Sequence, residues 1–65
     1  MNILVIGLGY VGTANAILLA QKNNVVCYDI DKKKVDKINE KQSPIEDREA
    51  SDYLSNKRLN LSATI

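Results

Sequence analysis

The sequence has no histidine and a single cysteine, Cys27. Without a second thiol no intramolecular disulfide can form, and the absence of imidazole argues against a dedicated zinc or transition-metal site. The expectation is a reducing, cytoplasmic compartment. An excess of one charge is also missing: nine basic side chains stand against eight acidic ones, a formal charge of +1. No net field therefore draws the chain to nucleic acid or to an anionic membrane. The longest apolar run, residues 16–20, falls far short of the roughly 18 residues of a membrane span. No basic residue precedes Lys22 to open a signal peptide. No repeat, low-complexity tract or linker is present either, so any partner has to be argued from a site.

Length sets a further bound. The 65 residues amount to one small domain at most, since independent domains run to roughly 100–150 residues. Chains below roughly 70–80 residues seldom bury enough apolar surface without a disulfide, a metal or a partner. The chain also stops inside an alternating run, with no capping turn or polar tail. The expectation is one part of a larger domain.

What is present is ordered as strand, helix, strand. Residues 3–6 form a short, β-branched apolar run ending at Gly7, the pattern of a parallel strand covered on both faces. Residues 10–22 lack proline and are rich in Ala, Leu and Ile. They predict a buried helix with Val11, Ala14 and Leu18 at helical spacing and Ile17 beside them, ending near Asn23 and Asn24. Residues 25–28 form a second apolar run that stops at Asp29, completing a compact βαβ unit whose crossover is almost always right-handed.

Asp31 is placed to cap a second helix over residues 32–41, with Val35 and Ile38 inward. Ser43-Pro44-Ile45-Glu46 reads as a capping box with proline at the first helical position, leading to a short helix with Ala50, Tyr53 and Leu54 on one face. A start one turn later fits equally. Leu59, Leu61, Ala63 and Ile65 alternate with Asn60, Ser62 and Thr64, a period-two pattern that suits an edge strand. The fold class is thus α/β: a Rossmann-type βαβαβ unit with parallel sheet order 3-2-1, the incomplete half of a dinucleotide-binding domain.

The chemistry sits at the first turn. Gly7-Leu8-Gly9-Tyr10-Val11-Gly12 matches GxGxxG. In this context Gly7 makes the tight turn, Gly9 lets backbone approach a pyrophosphate, and Gly12 allows close packing of helix on sheet. Backbone N–H groups at the start of a helix lack intrahelical partners and carry roughly half a unit of positive charge, which suits a diphosphate. The glycine pattern alone is weak evidence. Here a strand precedes it, a helix follows, and Asp29 closes the next strand seventeen positions after Gly12. A carboxylate there accepts hydrogen bonds from the 2′- and 3′-hydroxyls of an adenosine ribose and repels a 2′-phosphate, which favours NAD over NADP.

Each assignment has a plainer competitor. The glycines also fit an ordinary strand-to-helix turn, and Asp29 a solvated strand-end carboxylate. One of Lys32, Lys33 and Lys34 can lie near the ribose or phosphates, against a solvated helix face. Cys27, within an apolar strand, reads as a small hydrophobe rather than a nucleophile. Tyr28 and Tyr53 receive no role.

GLGYVG at 7–12, YDID at 28–31, KVDKIN at 34–39 and SPI at 43–45 together resemble the start of the UDP-glucose 6-dehydrogenases, over essentially the whole chain. The wider UDP-sugar and GDP-mannose 6-dehydrogenase group stays open. One departure follows SPI: many members have an acidic residue and then proline, whereas Asp47 is followed here by Arg48, which leaves the third helix's start undecided.

The resemblance implies an enzyme that oxidises a sugar C6 alcohol to a carboxylate in two NAD-dependent steps, with a catalytic cysteine far beyond position 65. It implies that Gly7, Gly9, Tyr10, Val11 and Gly12 lie against the NAD pyrophosphate, Asp29 on the adenosine ribose and Lys34 near the same ribose. It also implies a further UDP-sugar domain and a homodimer at full length, with no catalytic residue in residues 1–65. Two readings of other classes remain beside it. One is a non-catalytic NAD-sensing regulatory domain; the other is an assembly module that associates through its open sheet edge.

Overall fold

The computed structural model describes all residues, 1–65. Six elements follow in order: β1 (Asn2–Ile6), α1 (Tyr10–Ala20), β2 (Asn24–Tyr28), α2 (Lys32–Asn39), α3 (Arg48–Asn56) and β3 (Leu61–Thr64). The strands form one parallel sheet in the order β1-β2-β3, which is the expected 3-2-1 read from the other edge. Ile6 lies opposite Tyr28, and Tyr28 opposite Thr64. The first turn, Asp29 and the end of β3 therefore share the carboxyl edge of the sheet.

The sheet is covered on one face only, so the β1 pattern of a strand buried on both sides finds its cover on one side within these residues, as an incomplete half of a dinucleotide-binding domain requires. Val25 and Cys27 are buried, Ile3, Val5, Leu61 and Ala63 are packed against the core, and the alternate positions Leu4, Ile6 and Val26 are exposed. The continuous apolar run in β1 has no partner on its second side within these residues.

α1 begins at Tyr10, as the motif requires, and ends two residues before the expected limit. There Asn23 donates from Nδ2 to the Leu19 carbonyl at 2.9 Å and supplies a partner for that helix end. Its inward face differs from the expected one. Thr13, Ala16, Ile17 and Ala20 are buried, whereas Val11 and Leu18 are 75% and 67% exposed. The helix is apolar around most of its circumference, so periodicity could not select a face. Small side chains decided it, because Gly12, Ala16 and Ala20, spaced four apart, let the helix approach the sheet more closely than Val11 and Leu18 would.

α2 is capped by Asp31, whose carboxylate accepts from the Lys33 amide, and it buries Val35 and Ile38 as expected, stopping at Asn39. α3 takes the later of its two starts. Asp47 caps it, accepting from the Glu49 and Ala50 amides, while Ser43 folds back on itself, its Oγ hydrogen-bonding with both the amide and the carbonyl of Ile45. Ala50 and Leu54 face the core while Tyr53 is 36% exposed. Tyr53 carries the Lys57 ammonium over its ring at 5.7 Å. β3 occupies the sheet edge. Asn39 closes that edge: its Nδ2 donates to the Ala63 carbonyl at 3.0 Å and its Oδ1 accepts from the Ala63 amide at 2.9 Å. No helix is long and apolar enough to cross a membrane.

Cys27 lies in the middle strand with no solvent exposure, and burial pushes its thiol up to about 11. The group is held neutral, so the stabilisation is complete below about pH 9, where the unfolded thiol also keeps its proton, and fades as the pH climbs towards 11. Iodoacetamide at pH 8 is expected to leave folded protein unmodified and to alkylate Cys27 only after denaturation. Rapid alkylation under native conditions would contradict this burial.

Candidate functional site

The site is built from one turn and one strand end. The turn starts at Gly7, whose φ of +96° is disfavoured for any side-chain-bearing residue. Its amide donates to the Tyr28 carbonyl at 2.8 Å, fixing the turn to the end of β2. Leu8 then drives its side chain into the core with no exposure. Gly9 takes the N-cap position without a side-chain cap, and an added Cβ there would meet nothing within 4 Å. At Gly12 the opposite holds: a Cβ would collide with the Gly7 carbonyl oxygen and approach the Gly7 carbonyl carbon to 3.0 Å. The two glycines thus serve different ends, one an open surface and the other a tight contact between helix and turn.

The amides of Gly9, Tyr10, Val11 and Gly12 have no hydrogen-bond partner within the chain, and the first amide of the helix region that does is Thr13, bonded to the Gly9 carbonyl at 2.9 Å. Four donors at the positive end of an eleven-residue helix form a cradle for an anion of diphosphate size. The Tyr10 and Val11 side chains are exposed, so what these two residues give the cradle is their backbone amides.

Asp29 lies across from this turn. Its Oδ2 accepts from the Leu8 amide at 2.8 Å and its Oδ1 from the Asp31 amide at 2.8 Å. These bonds, first that from Asp31 and then that from Leu8, hold its carboxyl below the 3.8 usual for aspartate, and the Lys34 ammonium adds to them. The group is an anion at any physiological pH, its orientation set by backbone, with lone pairs left for hydroxyl donors. Among the three lysines, Lys34 is the one whose charge acts on Asp29. Lys32 is instead paired with Asp36 at 2.8 Å, an exposed contact within α2.

Between turn and strand end lies an open cleft of about 230 Å³, lined by Ile6, Gly7, Tyr28, Asp29 and Ile30. Of the expected residues, Gly7 and Asp29 line this cleft, while Gly9, Tyr10, Val11 and Gly12 lie on the adjoining turn and Lys34 on α2, outside its lining. Sequence reasoning missed Leu8, the residue that ties turn to carboxylate, and Thr13, whose buried hydroxyl donates to the Leu8 carbonyl at 3.2 Å. One signal was available for Thr13: positions 13, 16, 17 and 20 repeat at helical spacing around small side chains. It also missed Ile30, 82% exposed at the mouth of the cleft.

A family model for the UDP-glucose/GDP-mannose dehydrogenase family, NAD binding domain, matches residues 1–65. The chain belongs to this family. The UDP-glucose 6-dehydrogenase of Streptococcus pneumoniae is 46% identical to it over 65 residues, all of this chain and 16% of that protein. That of Campylobacter jejuni is 50% identical over 50 residues, covering 74% of this chain and 13% of its own length. That of Rickettsia typhi is 42% identical over 55 residues, 83% of this chain and 13% of its own. The chain therefore spans about one sixth or less of the length of these relatives. The part of the family that the chain matches is its NAD-binding domain, so the cofactor is NAD.

Proposed function

We propose that residues 1–65 form the ADP-ribose side of the NAD site in an oxidoreductase that converts UDP-glucose to UDP-glucuronate with reduction of two NAD+. The observation that carries this reading is the pairing, on one turn, of four unpartnered amides at residues 9–12 with the carboxylate of Asp29, which is anchored to the same turn through the Leu8 amide and lines the adjoining cleft. The amides of Gly9, Tyr10, Val11 and Gly12 donate to the pyrophosphate, while Gly7 shapes the turn. Asp29 accepts from the ribose hydroxyls, and Lys34 lies beside the same ribose. Ile30, exposed next to Asp29, offers an apolar wall to the adenine.

When bound, NAD supplies the hydride acceptor for oxidation at the sugar C6 carbon. Residues 1–65 bind and orient the cofactor. The nucleophilic cysteine, the general base and the UDP-sugar domain belong to the rest of the protein, which pairs as a homodimer and works in a reducing cytoplasm. The relatives' names support UDP-glucose as the sugar nucleotide. The exposed apolar side chains of Leu4, Ile6, Val11 and Leu18 are where the remainder of the nucleotide-binding domain covers the sheet and α1.

The test is calorimetric titration of NAD, ADP-ribose and NADP, with circular dichroism to establish folding. NAD and ADP-ribose are expected to bind, and NADP at least tenfold more weakly because its 2′-phosphate meets the Asp29 carboxylate. Equal affinity for NADP, or no binding by folded protein, would overturn the assignment.

A further inference from the structure

We propose that Thr13 is a positioning residue for the ribose-binding carboxylate, acting through the Leu8 peptides. The inference rests on the reading of Asp29 given above. Thr13 is the one buried polar side chain in the molecule, with no exposure at all. A hydroxyl on the inward face of a helix is costly unless it is paired, and this one is: Oγ1 donates to the Leu8 carbonyl at 3.2 Å. That carbonyl accepts no backbone hydrogen bond, so Thr13 is its sole partner. Leu8 is then held at three points: its side chain lies in the core, its carbonyl is bound by Thr13, and its amide donates to Asp29 Oδ2 at 2.8 Å.

Those contacts fix the dihedral angles on both sides of the Leu8 Cα. The amide therefore points at Asp29, and the Leu8–Gly9 peptide is held in one plane through its bonded carbonyl, which fixes the direction of the unpartnered Gly9 N–H. Removing the hydroxyl orphans the Leu8 carbonyl, which turns to find another partner, and the amide end of the residue turns with it. The ribose carboxylate loses one of its two backbone anchors although no atom that touches the cofactor has changed.

The experiment compares Thr13→Val, which keeps the shape and loses the hydroxyl, with Thr13→Ser, which keeps the hydroxyl, in the intact protein. Calorimetry reads the affinity for ADP and for 2′,3′-dideoxy-ADP, which lacks both hydroxyls that Asp29 would accept from. Thr13→Val is expected to weaken ADP about fivefold, the size of one net hydrogen bond, while leaving 2′,3′-dideoxy-ADP nearly unchanged, and Thr13→Ser to restore the preference. A merely structural loss would weaken both nucleotides alike, and that result overturns the proposal.

Hydrogen exchange of the Leu8 amide, read by NMR on [15N]leucine-labelled protein, decides independently of any nucleotide. Leu8 is expected to be protected in the unsubstituted protein and in Thr13→Ser, and to exchange about tenfold faster in Thr13→Val. An unprotected Leu8 amide in the unsubstituted protein overturns the proposal whatever the variants do. Failure of both nucleotides to bind the unsubstituted protein would sink the reading of Asp29, while the exchange data would still judge the link from Thr13 to Leu8.

Discussion

Gly12→Ala is expected to abolish the cooperative thermal unfolding transition. The added methyl would have to occupy space held by the Gly7 carbonyl oxygen, with the Gly7 carbonyl carbon only 3.0 Å away. Both obstacles are backbone, so no rotamer change relieves them, and α1 would have to lift off the turn. Overpacking of this kind costs about 3 kcal/mol or more. The total stability available to a chain of this size is about 3–10 kcal/mol. Lifting α1 would also loosen Ala16, Ile17 and Ala20, which supply a large part of the core.

Gly9→Ala provides the contrast. Its methyl meets nothing within 4 Å, so the fold is expected to survive with a melting temperature within a few degrees of the parent. In the proposed cofactor site the methyl would nevertheless stand where the pyrophosphate approaches the backbone. Circular dichroism melts and calorimetry on the two variants should therefore separate a folding glycine from a binding glycine. A Gly12→Ala protein that melts like the parent would refute the account of that contact.

Asp29→Ala is expected to lower the affinity for NAD by a factor on the order of 10–100, the range for losing charge-assisted hydrogen bonds at a positioned carboxylate. The substitution removes the proposed acceptor for the ribose hydroxyls together with the anchor of the Leu8 amide. Discrimination against NADP should collapse as well, since the repelling charge is gone.

The pH dependence follows from the direction of the Asp29 shift. Its carboxyl is held below 3.8 by the Asp31 and Leu8 amides. Its contribution to stability is present above that ordinary value and is lost only as the pH falls through the lower folded-state one. Binding of NAD measured at pH 5 should therefore match that at pH 7 as far as Asp29 is concerned. A loss of affinity centred between those values in the parent protein, absent from Asp29→Ala, would contradict the shift.

The parts of the fold that were legible in the sequence are those specified by near neighbours. The run in β1, the glycine turn, the start of α1 at Tyr10 and the Asp31 cap of α2 each depend on residues within a few positions, and each lies where the sequence places it. The capping box at Ser43 shows the limit of local signals. Two acceptable caps stood four residues apart, and Asp47 prevailed by binding two amides while Ser43 was satisfied by Ile45.

The inward face of α1 was not legible, because a helix apolar on several sides is oriented by shape, and the relevant shape is Gly12 against a carbonyl in the turn before it. The candidate site divides in the same way. Gly7, Gly9, Gly12 and Asp29 announce themselves by type and spacing. The Leu8 contact to Asp29 spans 21 positions and involves an amide that every residue but proline possesses, so no side-chain pattern could signal it.

The side-chain amide of Asn39 on Ala63 has a consequence for how copies of this sheet can meet. A four-residue strand with both outward groups of one residue already taken is a poor template for another chain. A strand arriving on that side would find the Ala63 amide and carbonyl already bonded within the chain, so the sheet stops at β3 and is not extended in that direction by chance encounters.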